Sequence, residues 1–209
     1  MSRHGYHGHG AFGQQCVVVP SHDLVVAVTA QGESQTVFDA LWECLLPGLD
    51  RPENAEDDEL LAARLRQLAL PPVPGSSAGP GPGPGPGGSV SGVLDASAED
   101  SALPDGTTVT VDSADGGWLV RFGSLFDVEV GFGDWRESSP LGRPVVASGA
   151  WQGSNFLADL VLVTTPHHVR LMVDGGAGRA TAVWSTVPLT GPRLELHLRS
   201  PLMTRPDVA

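Results

Sequence analysis

The chain has 209 residues, of which 24 are acidic and 12 are basic, and its formal net charge at pH 7 is -12. This charge repels phosphate backbones and anionic lipid heads, so we expect neither nucleic acid nor a membrane surface as a partner. The sequence contains neither an apolar run long enough to span a bilayer nor the apolar region of a signal peptide. We therefore expect a cytoplasmic protein.

The first 48 residues predict a strand–turn–strand–helix unit. Residues 16–19 and 24–29 are short apolar runs, and residues 20–23 (Pro-Ser-His-Asp) favour a turn between them. Continuous apolarity predicts strands that are covered on both faces. Ser34 is the predicted N-cap of a helix whose apolar residues recur at helical spacing until Pro47-Gly48. So short a unit cannot enclose such strands, and the missing cover must come from elsewhere.

The two cysteines, Cys16 and Cys44, are too few for a disulfide framework. We expect both to be buried, reduced thiols. The alternative is a single bridge that joins their two segments.

The middle of the chain predicts a helix followed by a linker. Residues 49–70 are a predicted helical connector, with a helix from Asn54 to about Leu68 whose first turn is acidic and whose last turn carries arginines. Residues 71–104 are predicted to be a disordered Pro/Gly-rich linker, because they offer little apolar surface to offset the entropy of ordering. Collagen is excluded, since glycine recurs there at every second position and the triple helix needs it at every third.

Residues 105–200 alternate between apolar and polar side chains in short runs separated by Gly-containing turns. Seven or so such runs predict an all-β antiparallel domain, a sandwich or a barrel, that folds by itself. The last predicted strand covers residues 193–199. Residues 201–209 are a predicted tail.

Three segments of the first unit carry a family resemblance: HGHGAFGQ at 7–14, CVVVP at 16–20 and DLVVAVT at 23–29. They resemble the last sheet strands of β-lactamase-related serine hydrolases, the penicillin-binding-protein-like and class C-like family, and residues 38–47 resemble its closing helix. The resemblance implies that residues 1–48 are the α+β, C-terminal end of a catalytic domain. The all-β domain is similar to the extra C-terminal domain of actinobacterial members, and we expect it to contact the hydrolase domain.

The resemblance also implies a site. In that family a strand with a Lys/His-x-Gly motif lends a backbone amide to the oxyanion hole, and here the motif falls on His9, Gly10 and Ala11. Either Gly10 or Ala11 would supply the amide, and glycine lets the backbone approach a ligand closely. No cofactor is implied.

Two other motifs of the family are absent. The sequence has no lysine, so no Ser-x-x-Lys motif exists, and its only tyrosine, Tyr6, starts no Tyr-x-Asn motif. Without nucleophile and base, acyl transfer does not occur. We therefore expect a truncated or mis-started product: the C-terminal part of a hydrolase that acts on a small-molecule ester, amide or β-lactam in the full-length parent and is not competent alone.

Weaker candidate sites lie elsewhere. His4, His7 and His9 could bind a transition metal on an open loop, although no thiolate or carboxylate lies nearby in the sequence. Trp135 and Trp151 fall near strand ends and are candidates for stacking on a ligand. They support an alternative function for the all-β domain, a non-enzymatic binding module.

A Ser-His-Asp arrangement is the remaining catalytic hypothesis. It would combine His167 or His168 with Asp159 and with Ser154 or Ser185. No Gly-x-Ser-x-Gly turn supports it.

Overall fold

The computed structural model describes residues 5–52, 54–79, 89–97 and 100–200. The chain divides into two compact units, Met1–Leu70 and Pro71–Ala209. His4 and the predicted tail lie outside the described residues. Within the described part of the chain, no helix has the length and apolar character that crossing a membrane requires.

The first unit contains a three-stranded antiparallel sheet in the order β1-β2-β3. Its strands are β1 (Tyr6–His9), β2 (Gln15–Val19) and β3 (Leu24–Val28). Short 3-10 helices at Ala11–Gly13 and Pro20–His22 connect them. The predicted hairpin of residues 16–29 is therefore present, with Asp23 in the left-handed conformation that aspartate tolerates in turns.

Helical turns follow the sheet: α1 (Ser34–Ala40), a π-helical turn (Leu41–Leu45) and α2 (Leu46–Leu49). Glu33, and not the predicted Ser34, occupies the N-cap position, without a side-chain cap. The Ser34 hydroxyl instead accepts a hydrogen bond from Gln15, which draws the start of the helix onto the sheet.

The sheet of the first unit is buried on one face only. Val17 and Val19 form a small core with Leu41 and Leu46 of the helical segment. On the other face Val25 is 63% exposed, so the described residues cover only one of the two faces that were predicted to be covered. A single helical layer can cover only one face of a sheet.

Both cysteines are exposed free thiols, which corrects the expectation that they are buried. Cys16 lies on the uncovered face of the sheet, between buried neighbours in β2. Cys44 lies on an exposed side of the π-helical turn. The apolar residues next to Cys16 and Cys44 in the sequence therefore did not predict whether the two thiols are buried.

The first unit ends with α3 (Ala55–Arg66), close to the predicted bounds. The Asn54 side chain caps it by accepting a hydrogen bond from the Glu56 amide over 3.1 Å. Leu60, Leu61 and Leu65 are all exposed, so this helix buries no leucine core of its own among the described residues.

The second unit is a β-barrel. Eight strands of a nine-stranded sheet form a closed ring in the order β9-β10-β11-β12-β4-β5-β6-β7, and β8 adds to β9 from outside the ring. Neighbours pair antiparallel except at two places, β12 with β4 and β7 with β9. The strands are β4 (Ser89–Leu94), β5 (Thr108–Ala114), β6 (Gly117–Phe122), β7 (Phe126–Gly131), β8 (Arg136–Ser138), β9 (Val145–Gln152), β10 (Asn155–Leu162), β11 (His168–Asp174) and β12 (Arg179–Trp184).

Alternate side chains of these strands fill the barrel, as expected for eight strands. Phe122, Phe156 and Leu171 are fully buried. The Trp118 and Phe156 rings meet edge to face with centroids 4.9 Å apart. The predicted alternation is therefore correct for the main strands, and of the two predicted architectures the barrel is the one formed.

Strand β4 corrects the predicted linker of residues 71–104. It lies between β12 and β5, and Leu94, Ala102 and Leu103 are buried in the barrel core. Gly92, which favoured a linker in the sequence, is required by packing, because a Cβ there would overlap the backbone of Arg179 in β12. Residues 80–88, with most of the Gly-Pro run, lie outside the described residues.

Residues 193–199 form a helix and not the predicted strand. In α4 (Leu194–Leu198) the first and last leucines are buried and Leu196 is exposed. The spacing of four residues between Leu194 and Leu198 suits one face of a helix as well as one face of a strand. The Leu194 amide donates to the Ala102 carbonyl over 2.8 Å, which attaches α4 to the segment after β4.

Strand β4 gives a first testable prediction. A fragment of residues 71–200 should unfold cooperatively on heating, whereas residues 105–200 should not. The shorter fragment leaves one edge of β5 and one edge of β12 without the β4 partner and removes Leu94, and loss of one buried leucine side chain alone costs about 2–5 kcal/mol. Circular dichroism melts of both fragments measure this, and a cooperative transition of residues 105–200 would contradict the assignment of β4 to the barrel.

Candidate functional site

The predicted oxyanion motif lies at the end of β1, where His9 contacts two other polar residues. The Gln15 side-chain amide donates to His9 Nδ1 over 2.9 Å and lies 2.8 Å from the Ser34 hydroxyl. Because the amide N–H donates, His9 Nδ1 accepts, and the neutral ring carries its proton on Nε2. We call His9, Gln15 and Ser34 the His9 cluster.

Gln15 is the buried member of the His9 cluster and is only 4% exposed. Its Oε1 atom has no hydrogen-bonding partner among the described residues. A buried acceptor without a partner costs about 1–3 kcal/mol. Gln15 therefore orients the His9 ring at a cost in stability. Gln15 could not be identified beforehand, because a single glutamine at the start of a strand forms no sequence pattern.

The turn after β1 separates the two predicted amide donors. The Gly10 amide donates to the Gln14 carbonyl over 2.9 Å, so it is already used within the turn. Ala11 begins the 3-10 helix and is exposed. The bond to Gln14 thus uses the amide of Gly10 and not that of Ala11, the other predicted donor.

Gly13 completes this turn. Its φ is +92°, and a Cβ atom there would overlap the backbone of Gly32, whose amide donates to the Phe12 carbonyl over 3.1 Å. A glycine at this position lets the segment after β3 approach the turn that carries the motif.

This geometry gives a second prediction. Gly13→Ala should lower the thermal midpoint of the first unit, because strain at positive φ and the overlap with Gly32 cost more than about 1 kcal/mol together. Gly8→Ala is the matched control, because no atom lies within 4 Å of a Cβ at Gly8. Melts of both variants, followed by circular dichroism, measure the difference. Equal midpoints would show that the turn does not need glycine.

Two of the three histidines predicted as metal ligands, His7 and His9, lie in the described part of the chain. The His7 ring packs edge-on against Phe38, with centroids 4.8 Å apart, and His9 Nδ1 is bonded to Gln15. The described residues contain no group of three or more His, Cys, Asp or Glu side chains that could hold a metal. His7 therefore contributes to packing of α1 on the sheet.

The Ser-His-Asp hypothesis is met only in part. Ser185 Oγ lies 2.9 Å from His168 Nδ1 and also 3.2 Å from the His168 carbonyl, to which it donates. Asp159 pairs with Arg170 over 3.1 Å and not with a histidine. Ser154 lies in the turn between β9 and β10. In the part of the chain that the structure describes, Asp159 does not orient His168, so the pair lacks the predicted third member of a catalytic triad.

Trp135 and Trp151 are both half-buried, in different surroundings. Trp135 lies in the connection between β7 and β8. Trp151 is in β9, where its ring meets Phe156 with centroids 5.6 Å apart. The structure thus places Trp151 at the margin of the barrel core, with part of its indole exposed.

His167 is a buried titratable group of the barrel. Burial lowers its pKa, a hydrogen bond from Nδ1 to the Thr186 carbonyl acts in the opposite direction, and the charge of His197 lowers the pKa further. Its ring lies beside Trp184 at 5.9 Å between centroids. The folded barrel therefore favours the neutral imidazole.

A third prediction concerns pH. In the unfolded chain His167 binds a proton near pH 6.5, whereas the folded chain binds it only at lower pH, so stability is complete above pH 6.5 and declines as the pH falls. Urea unfolding of the barrel at pH 7.5 and 5.5 should show this loss. His167→Asn, which keeps a donor for Thr186, should reduce the pH dependence. The same slope in the variant and the parent protein would refute the role of His167.

Comparisons of this chain with models of protein families, with curated proteins and with solved structures gave no match. A functional interpretation of this chain therefore depends on the geometry of the site and the chemistry of its residues.

Proposed function

We propose that the first unit is the C-terminal part of a serine hydrolase domain of the β-lactamase-like fold. In the full-length parent that domain would transfer acyl groups from an ester, amide or β-lactam, and this chain alone would not. The observation that supports the proposal is the uncovered apolar face of the β1-β2-β3 sheet, with His9, Gly10 and Ala11 at the end of its edge strand.

The uncovered face consists of two rows of paired residues. Tyr6 pairs with Val18 and Val18 with Val25, and Gly8 pairs with Cys16 in the next row. Tyr6 is 64% exposed and Val25 is 63% exposed. A contiguous apolar face on a sheet is typical of a surface that another layer covers.

The edge of the sheet supports the same proposal. Within the described residues β1 pairs only with β2, so its other edge has free backbone groups on which further strands can add. Further strands at that edge would carry a nucleophile close to His9 and Ala11. Acyl transfer requires both a nucleophile and an oxyanion donor. The two groups can thus come from separate segments of one sheet.

Within the proposed reaction, Ala11 and His9 of this chain would have separate roles. The Ala11 amide would stabilise the charge that develops on the acyl oxygen, and His9, held by Gln15, would offer its Nε2 proton to the same region. The serine nucleophile and the lysine base would belong to the missing part, because the sequence contains no lysine.

The proposal predicts that the 209-residue chain hydrolyses neither nitrocefin nor p-nitrophenyl acetate above the buffer rate. It also predicts that co-expression with an upstream in-frame segment encoding Ser-x-x-Lys restores esterase activity. Val25→Arg should reduce the restored activity at least tenfold, because a charge on the uncovered face prevents docking of the missing layer.

Thr36→Arg, on an exposed position of α1, is the matched control and should leave the restored activity unchanged. Intact-mass spectrometry after treatment with penicillin or ester gives an independent measurement. A covalent acyl adduct on any serine of the chain alone would overturn the proposal, and so would the absence of a Ser-x-x-Lys segment upstream.

A further inference from the structure

The segment of residues 71–79 lies against one edge of β9. Ser76 and Trp151 exchange two backbone hydrogen bonds, each of 2.9 Å. The Val73 amide donates to the Ser148 hydroxyl over 3.1 Å, and the Gln152 side chain donates to the Pro74 carbonyl over 2.8 Å. The segment is therefore attached to the barrel through main-chain groups at three of its positions.

The barrel strands by themselves do not pair with the whole of this edge of β9. On one side β9 pairs with β10 along its whole length. On the other side β8 pairs with residues 145–147 of β9, and β7 pairs only at Ser148. Beyond Ser148 the backbone N–H and C=O of Trp151 face this side, where an extended peptide such as the segment at Ser76 satisfies them.

The local shape of this edge selects the peptide. A Cβ at Gly75 would overlap the Trp151 carbonyl and come 2.7 Å from the Ala150 Cβ, so only glycine fits there. A Cβ at Gly79 would lie 3.1 Å from the Trp151 indole, so this glycine rests on the ring. Small residues at both positions let the peptide lie close to the barrel.

Proline fits the other positions for a different reason. The two amides of the segment that these hydrogen bonds use belong to Val73 and Ser76, and Pro71, Pro72 and Pro74 have no N–H that needs a partner. Proline also holds the chain extended before it binds, which lowers the entropy lost on docking.

We propose that the edge formed by Ser148, Ala150, Trp151 and Gln152, the Trp151 groove, is a binding site for extended peptides of the type Pro-x-Pro-Gly-Ser. In this chain residues 71–79 occupy it. A partner segment of the same chemistry would compete with them, and the covalent attachment of residues 71–79 gives them an effective concentration of about millimolar. The site would therefore accept a partner only when residues 71–79 leave it. This inference does not depend on the hydrolase proposal.

The test uses the full chain and a fluorescein-labelled PPVPGSSAG peptide, with fluorescence anisotropy as the measurement. Ser76→Pro removes the amide that donates to Trp151, so it should release residues 71–79 and let the probe bind at least tenfold more tightly than to the parent chain. Ser77→Pro is the matched control, because Ser77 is exposed, and it should bind the probe as weakly as the parent chain does.

The specificity of the groove is tested with a second probe, PPVPVSSAG, in which valine replaces the glycine that corresponds to Gly75. It should bind the Ser76→Pro chain at least tenfold more weakly, because its side chain meets the Trp151 carbonyl. Equal binding of the two probes, or no binding of the first probe to a folded Ser76→Pro chain, would overturn the proposal.

Gly75→Ala is a second way to displace the segment and should give the same gain in probe binding. If both variants lose the thermal transition of the barrel, the proposal is also overturned. Residues 71–79 would then be a required part of the barrel and not an exchangeable ligand.

Discussion

Closure of the barrel depends on β9, which joins the two ends of the sheet. Its eight residue pairs with β10 make a complete antiparallel ladder, whereas a single pair, Gly131 with Ser148, joins it to β7. A fully closed sheet has no free edges. The side of β9 that has only one pair with β7 is therefore where we propose that the barrel accepts a partner. Residues 71–79 and β8 both form backbone hydrogen bonds with β9 on this side. The proposed Trp151 groove is thus a consequence of incomplete closure.

The first unit has the opposite character, because among the described residues its sheet is open at an edge and on one face. Its inner face is buried by Leu41 and Leu46, while Tyr6 and Val25 remain exposed. A surface of this kind is stabilised by a further layer, which is the physical basis of the hydrolase proposal. The His9 cluster is ordered by Gln15, and the sequence contains no lysine that could complete a Ser-x-x-Lys motif.

Periodic segments were predicted well from the sequence, and close backbone contacts were not. Alternation identified β5–β7 and β10–β12, and acidic residues after Asn54 identified α3, whereas β8 and β9 were not predicted as strands. Strand β4 was missed because the sequence before and at Gly92 is rich in the residues of a linker, whereas Gly92 is required for close contact with β12. Helix α4 was missed because leucines spaced by two also satisfy a spacing of four. For the site, the motif at residues 9–11 stays a prediction, and the use of the Gly10 amide and the burial of Gln15 depend on contacts that the sequence pattern does not contain.

The exposed thiol of Cys16 gives the uncovered sheet face a chemical reporter. Cys16 pairs with Gly8 on one side and Ala27 on the other, so it lies in the middle of that face. A layer that covers the sheet must shield this sulfur from solvent, and the rate at which a maleimide alkylates it would fall in proportion to the occupied fraction. Because Cys44 lies on the helical segment, it would keep its rate and serve as an internal reference within the same molecule.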